Sequence, residues 1–343
     1  MAPKILLFGS GAIGTIYVYL LLKAGCDVTA VCRSNYEAAK ADGFLIDSDM
    51  YGKAIHIRPK VVRTPREATS NGSFDYVLVC SKALPGPKPS TPELIAPAVT
   101  EGKTCIVLIQ NGIGIEDEYA LTFPNNPLLS CVVYLPTTQI EPGRVQMGNL
   151  ELLQIGAYPA SASDSTHVRA AADTLSQSLK SAGGNPHLFD DIQPKRWSKL
   201  LINASWNPIC ALTLSRDAAY LQSSSMAEQF VNDVMLEVVS LAQAMGYEEI
   251  TTQAAKDQLA RALERVGGAG IEPSMLVDVL TGRRMEVEVI LGTPVRMARE
   301  KGLSVPRLES LYVLAKALDE ANALRQPGKS LSGNETAQAR AKV

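Results

Sequence analysis

A short apolar run, KILLF at residues 4–8, breaks at Gly9-Ser10-Gly11-Ala12-Ile13-Gly14, and a helical apolar pattern follows. Few arrangements restrict a chain more. Between a strand and a helix, Gly9 permits a tight turn, Gly11 lets backbone NH groups approach a pyrophosphate, and Gly14 allows the helix to pack closely on the strand. We read residues 9–14 as a dinucleotide-binding turn. An ordinary glycine turn is the bland alternative, and the strand and helix on either side count against it.

The same alternation continues through the first half of the chain. β-Branched runs VTAVCR, DYVLVCSK, TCIVLIQ and LLSCVVYL are separated by helical patterns, which implies a parallel sheet covered on both faces. Residues 145–157 alternate polar and apolar and are expected to form antiparallel strands closing this domain, followed by an amphipathic helix over about 165–182 that Gly183-Gly184 ends. After Pro194 the periodicity turns helical throughout. At 343 residues the chain exceeds what one core organises, given about 150 residues per domain. The expected fold class is therefore α/β: an N-terminal Rossmann-type parallel-sheet domain over 1–190, a C-terminal all-helical domain over 191–325, and a polar tail over 326–343 with too little apolar surface to offset ordering entropy.

Composition narrows the partners. A formal charge of −2, with no long basic or acidic run, offers no broad field to nucleic acid or to an anionic membrane, so a small molecule is the expected partner. The longest later apolar run, Ile16–Leu22, is too short for a span of about 20 residues, and the glycines interrupt the N-terminal run before it resembles a signal peptide. The six cysteines lack CxxC or Cys/His metal spacing, consistent with a reducing, cytoplasmic setting.

In open α/β sheets, ligands bind beyond the carboxyl ends of the strands, so the residues just past each strand belong together. These are Gly9, Arg33, Lys82 and Asn111-Gly112, expected to face one crevice. Where an NAD enzyme would carry Asp or Glu for the ribose 2′-hydroxyl, this chain has Arg33. A guanidinium fork suits a 2′-phosphate that a carboxylate would repel, which argues for NADP(H), with Ser34 able to add a hydrogen bond. A solvated loop arginine, a surface Lys82 and a plain Asn-Gly turn are the competing readings.

Hydride transfer to a ketone leaves negative charge on oxygen that must be stabilised and protonated. In KRWSKLLINASWNP, Lys199, Asn203 and Asn207 recur at i, i+4 and i+8, along one face of a largely apolar helix. Such a stripe could receive a carboxylate and a carbonyl, with Lys199 as the acid and the amides orienting the substrate. A helix packed through satisfied amides is the alternative. Further on, Ser274 reads equally as a helix N-cap, and Glu286 in MEVEV reads as a solvated helix face or edge strand. His56, His167 and His187 are scattered and are assigned surface or structural roles, Trp197 and Trp206 core packing, and no metal site is expected.

In order along the chain, GSGAIG, the arginine after the second strand, the lysine ending DYVLVCSK, QNG, K-x-x-x-N-x-x-x-N-P, and Ser274 twelve residues before Glu286 resemble the ketopantoate reductase (2-dehydropantoate 2-reductase) family, from about Lys4 to Ala321. That resemblance implies NADPH-dependent reduction of ketopantoate to pantoate, a step of pantothenate biosynthesis. By the same matching, Lys199 is the general acid, and Asn203, Asn207, Ser274 and Glu286 contact substrate. Asn111 lies near nicotinamide and substrate, and Arg33 and Lys82 choose and hold NADP. The chain departs from the family in the proline-rich stretch after Lys82, and in MEVEVILG, where TEIDYING is usual and Leu291 replaces a polar residue. Relatives that take other branched 2-oxo acids, a 3-hydroxyacid dehydrogenase and a non-catalytic NADP sensor stay open as alternatives. So does a homodimer.

Overall fold

The protein is described by a computed structural model covering residues 2–86 and 88–324. The expected tail at 326–343 lies outside the described residues. The described residues divide into two compact units, one from 2–111 with 115–195, the other from 112–114 with 196–324.

The first unit is a mixed α/β domain. Its eight-stranded sheet has the order β12-β11-β8-β7-β6-β1-β2-β5. These strands are β1 (Lys4–Phe8), β2 (Asp27–Val31), β5 (Lys60–Val62), β6 (Tyr76–Val79), β7 (Cys105–Ile109), β8 (Leu128–Tyr134), β11 (Leu152–Ala157) and β12 (Pro186–Phe189). From β5 across to β8 the strands run parallel, while β11 pairs antiparallel with β8 and parallel with β12. Parallel strands need crossover helices on both faces, and the sequence complies with near-continuous apolar runs: β6 and β7 are buried at every position. The helix Ala12–Lys23 contributes Ile16, Tyr17, Leu20 and Leu21 to the same core, all fully buried.

Residues 145–157 form two strands, each with an antiparallel neighbour, but the two belong to different sheets. A second, four-stranded sheet has the order β4-β3-β10-β9, from β3 (Phe44–Ser48), β4 (Gly52–Ile57), β9 (Thr137–Glu141) and β10 (Arg144–Met147). β10 pairs antiparallel with β9 and parallel with β3, whereas β11 returns to the large sheet. The chain changes sheets at Gly148-Asn149-Leu150, where polar and glycine residues interrupt the period-two pattern. The helix expected near 165–182 is present as Thr166–Ser181.

The second unit is all helical among its described residues. Its main helices are Gln193–Thr213, whose first turn belongs to the first unit, then Ala227–Ala244, Thr252–Leu263, Ser274–Leu280, Thr293–Glu300 and Pro306–Leu324. The first of these runs on through Pro208, although proline removes a helical hydrogen bond, because residues 203–211 are buried on all sides. Trp197 packs against Tyr247 and Trp206 edge-on against Tyr220, as core residues. Buried carboxylates knit the unit together. Glu237 accepts from the backbone NH groups of Arg307 and Leu308 at the start of the last helix, where the dipole favours negative charge. Asp319 accepts from the Met285 NH at 2.7 Å and pairs with Arg284.

Candidate active site

In the first unit the three fingerprint glycines have different physical reasons to be glycine. Gly9 has φ +100°, and a Cβ there would fall 2.4 Å from the Ser81 backbone nitrogen. Gly14 would drive a Cβ to 2.3 Å from the Gly9 carbonyl oxygen. Gly11 has φ −80°, and a Cβ there would meet nothing within 4 Å. Packing and backbone strain therefore explain Gly9 and Gly14 but leave Gly11 unexplained. Open space above it is what a ligand approaching the backbone requires. Gly11 also caps the helix Ala12–Lys23 without any side-chain hydrogen bond, so the helix presents first-turn NH groups to an anion. Ser10 is buried with its hydroxyl donating to the Val31 carbonyl, and Ala12 and Ile13 are half-buried.

Asn35, which the sequence reading passed over, donates from its buried side-chain amide to the Ser10 carbonyl at 2.6 Å. It ties the fingerprint turn to the end of β2. Arg33 is exposed just beyond that strand, its guanidinium carbon 5.9 Å from the Phe8 ring centre. Lys82 follows β6 and Asn111 follows β7, both half-buried. Because β7, β6, β1 and β2 are consecutive and parallel, Asn111, Lys82, Gly9 and Arg33 stand along a single edge of the sheet. These residues fit a dinucleotide: an uncapped helix end, a glycine with open space above it, and flanking cations.

The second unit holds the ammonium and amide groups. Lys199, Asn203 and Asn207 lie on the helix Gln193–Thr213, with Lys199 half-buried and the two asparagines 9% and 3% exposed. Burial pulls the Lys199 ammonium down to about 8, the buried Arg196 charge adds to this, and Glu286 opposes it. Arg196 is 3% exposed and donates to the Gly112 carbonyl at 3.0 Å. Sequence reasoning missed it, although its i−3 spacing places it on the Lys199 face. Gly112 itself packs against Val289, a Cβ there falling 2.4 Å from that residue's own Cβ, and Ile113 donates to the Val289 carbonyl. The glycine of QNG thus answers to close packing as much as to the turn.

Two readings of the sequence are corrected. Ser274 is not an N-cap: Pro273 holds that position, and the Ser274 hydroxyl donates to the Asn207 side-chain oxygen at 3.2 Å. The Met275 NH donates to the same oxygen at 3.1 Å, so Asn207 caps this helix from outside. Glu286 is neither a solvated face nor an edge strand. It is 8% exposed and precedes a π-helical turn at Glu288–Gly292, in which Leu291 is fully buried and Glu288 is held by Arg296, Tyr312 and Lys316. Asn203 is 9% exposed and makes no side-chain hydrogen bond among the described residues, which leaves its amide able to bond a ligand. The three histidines are exposed, and no group of residues able to hold a metal occurs among the described residues.

Comparison with known proteins gives the family and the fold. Residues 5–160 match the family described as ketopantoate reductase PanE/ApbA, and residues 191–319 its C-terminal part. An uncharacterized protein of Saccharomyces cerevisiae is 30% identical over 91% of this chain and 92% of its own length. The crystal structure of 2-dehydropantoate 2-reductase from Methylococcus capsulatus superposes with a TM-score of 0.80 at 34% identity, covering 96% of this chain and 100% of that one. D-mandelate dehydrogenase, in its ternary structure with NADH and anilino(oxo)acetate, shares the fold with a TM-score of 0.79 at 20% identity, over 94% of this chain and 100% of that one. The chain belongs to the ketopantoate reductase family of oxidoreductases.

Proposed function

We propose that this protein is an NADPH-dependent reductase of a 2-oxo acid, 2-dehydropantoate, which it converts to pantoate on the way to pantothenate in the cytoplasm. The observation that carries this is a half-buried lysine whose ammonium is held at about 8, beside a buried glutamate and on one face with the unpartnered Asn203 amide. Bound NADPH supplies the hydride. Gly9, Ser10, Gly11, Ala12, Ile13 and Gly14 cradle its pyrophosphate, and Arg33 and Lys82 supply positive charge for its phosphates, with Asn111 toward the nicotinamide and substrate. D-mandelate dehydrogenase binds NADH on the same fold, so it is Arg33 that argues for NADPH here.

Lys199 gives its proton to the carbonyl oxygen as negative charge develops there. A lysine titrating near 8 is still protonated at neutral pH yet gives up its proton more readily than a solvated one. Glu286 keeps that ammonium charged against the repulsion of Arg196. Asn203 donates its amide to the substrate, and Asn207 fixes Ser274, whose hydroxyl is exposed for a further contact.

An NADPH-oxidation assay across a panel of 2-oxo acids, with 3-hydroxy acids assayed in reverse with NADP, tests the reading. Turnover of ketopantoate or a close branched 2-oxo acid is expected, with none for 3-hydroxy acids. The reverse pattern would identify a 3-hydroxyacid dehydrogenase, and nucleotide binding without any turnover would identify a sensor.

A further inference from the structure

Beyond Arg33, a second arginine stands at the same edge of the large sheet. β5 runs parallel to β2 with Val62 opposite Val31, and the Cys32 NH donates to the Val62 carbonyl at 2.9 Å. By this register Arg63 stands opposite Cys32, so Arg33 and Arg63 leave neighbouring strand ends offset by one residue, on strands about 4.8 Å apart. The Arg63 guanidinium carbon lies 3.9 Å from the centre of the Tyr36 ring, on the first residue of the helix Tyr36–Asp42. Lys40 stands 5.4 Å from the same ring. Arg63 is ion-paired with Glu37, a side chain 79% exposed, and its backbone NH donates to Glu67.

We propose that Arg63 is the second arginine of a two-arginine clamp for the phosphate monoester on the ribose of the nucleotide, and that Glu37 is the counter-ion it exchanges for that phosphate. The proposal rests on the reading that this edge binds NADPH. A ribose phosphate carries close to two negative charges at neutral pH, and Arg33 neutralises one. Stacking on Tyr36 orders the Arg63 fork in advance, leaving its NH edges for bidentate bonding. An ion pair to so exposed a carboxylate is weak and easily exchanged. A nucleotide lacking the phosphate gains nothing from the exchange and leaves Arg63 on Glu37.

Equilibrium fluorescence titration of NADPH and NADH against the native protein and the Arg33→Gln, Arg63→Gln and Glu37→Gln variants tests this. The native protein should prefer NADPH. Arg63→Gln should weaken NADPH by about tenfold or more and leave NADH within about twofold, with NADH affinity serving as the check on folding. Glu37→Gln should tighten NADPH alone. If Arg33→Gln abolishes the preference for NADPH while Arg63→Gln leaves it intact, the second arginine is excluded and the cofactor reading survives. If the native protein shows no preference for NADPH, the cofactor reading and the clamp fall together.

Discussion

The Lys199 ammonium is placed between opposing charges, and the sign of each is testable. Its burial and the Arg196 guanidinium favour the neutral amine, while Glu286 favours the charged form. As the proposed acid it must be protonated, so kcat/KM should fall as pH rises through about 8. Arg196→Gln removes a positive charge and should move that limb to higher pH. Glu286→Gln should move it lower, and a limb that stays fixed in both variants would assign it to another group. Stability carries the same signature. Because the folded value lies below the 10.5 of a free lysine, the charged amine costs stability below about 8, and the cost disappears as pH rises toward 10.5. Lys199→Met should therefore raise the melting temperature at pH 7, with the gain shrinking between pH 8 and 10.5. Equal melting temperatures at pH 7 would contradict the strain assigned to this side chain.

At the scale of elements, the fingerprint turn separates two kinds of glycine. Gly14→Ala should destabilise the fold by about 1–3 kcal/mol, because its Cβ would collide with backbone that cannot move aside. Gly11→Ala meets open space at a φ any residue adopts, so chemical denaturation should show stability within about 0.5 kcal/mol of the native chain. The same variant should lose nucleotide affinity. Unchanged affinity would mean that no ligand approaches this backbone. This turn was fully legible in the sequence because its spacing is local. So was the Lys199-Asn203-Asn207 stripe, which needs only helical periodicity. Less legible were features made by distant chain segments. Asn207 capping a helix 67 residues away, the buried Glu286 and the π-helical turn after it all depend on tertiary packing, and EVEV alternates as a strand would. Arg196 was passed over because nothing local announces that Gly112 will offer it a carbonyl.

For the whole molecule, composition and the switch from β-branched runs to helical periodicity were enough to read an α/β half followed by a helical half, since each pattern repeats many times. The division of 145–157 between two sheets was not, because alternation specifies a strand but not its partner. No helix among the described residues is long and apolar enough to cross a membrane. The proposed reaction needs a nucleotide held by one unit and a proton given by a residue of the other, so one variant can separate binding from chemistry. Steady-state NADPH oxidation with ketopantoate should fall in Lys199→Ala by a factor of about 10² or more, with the dissociation constant for NADPH unchanged. Native turnover in that variant would leave the reduction without its assigned proton donor and contradict the account.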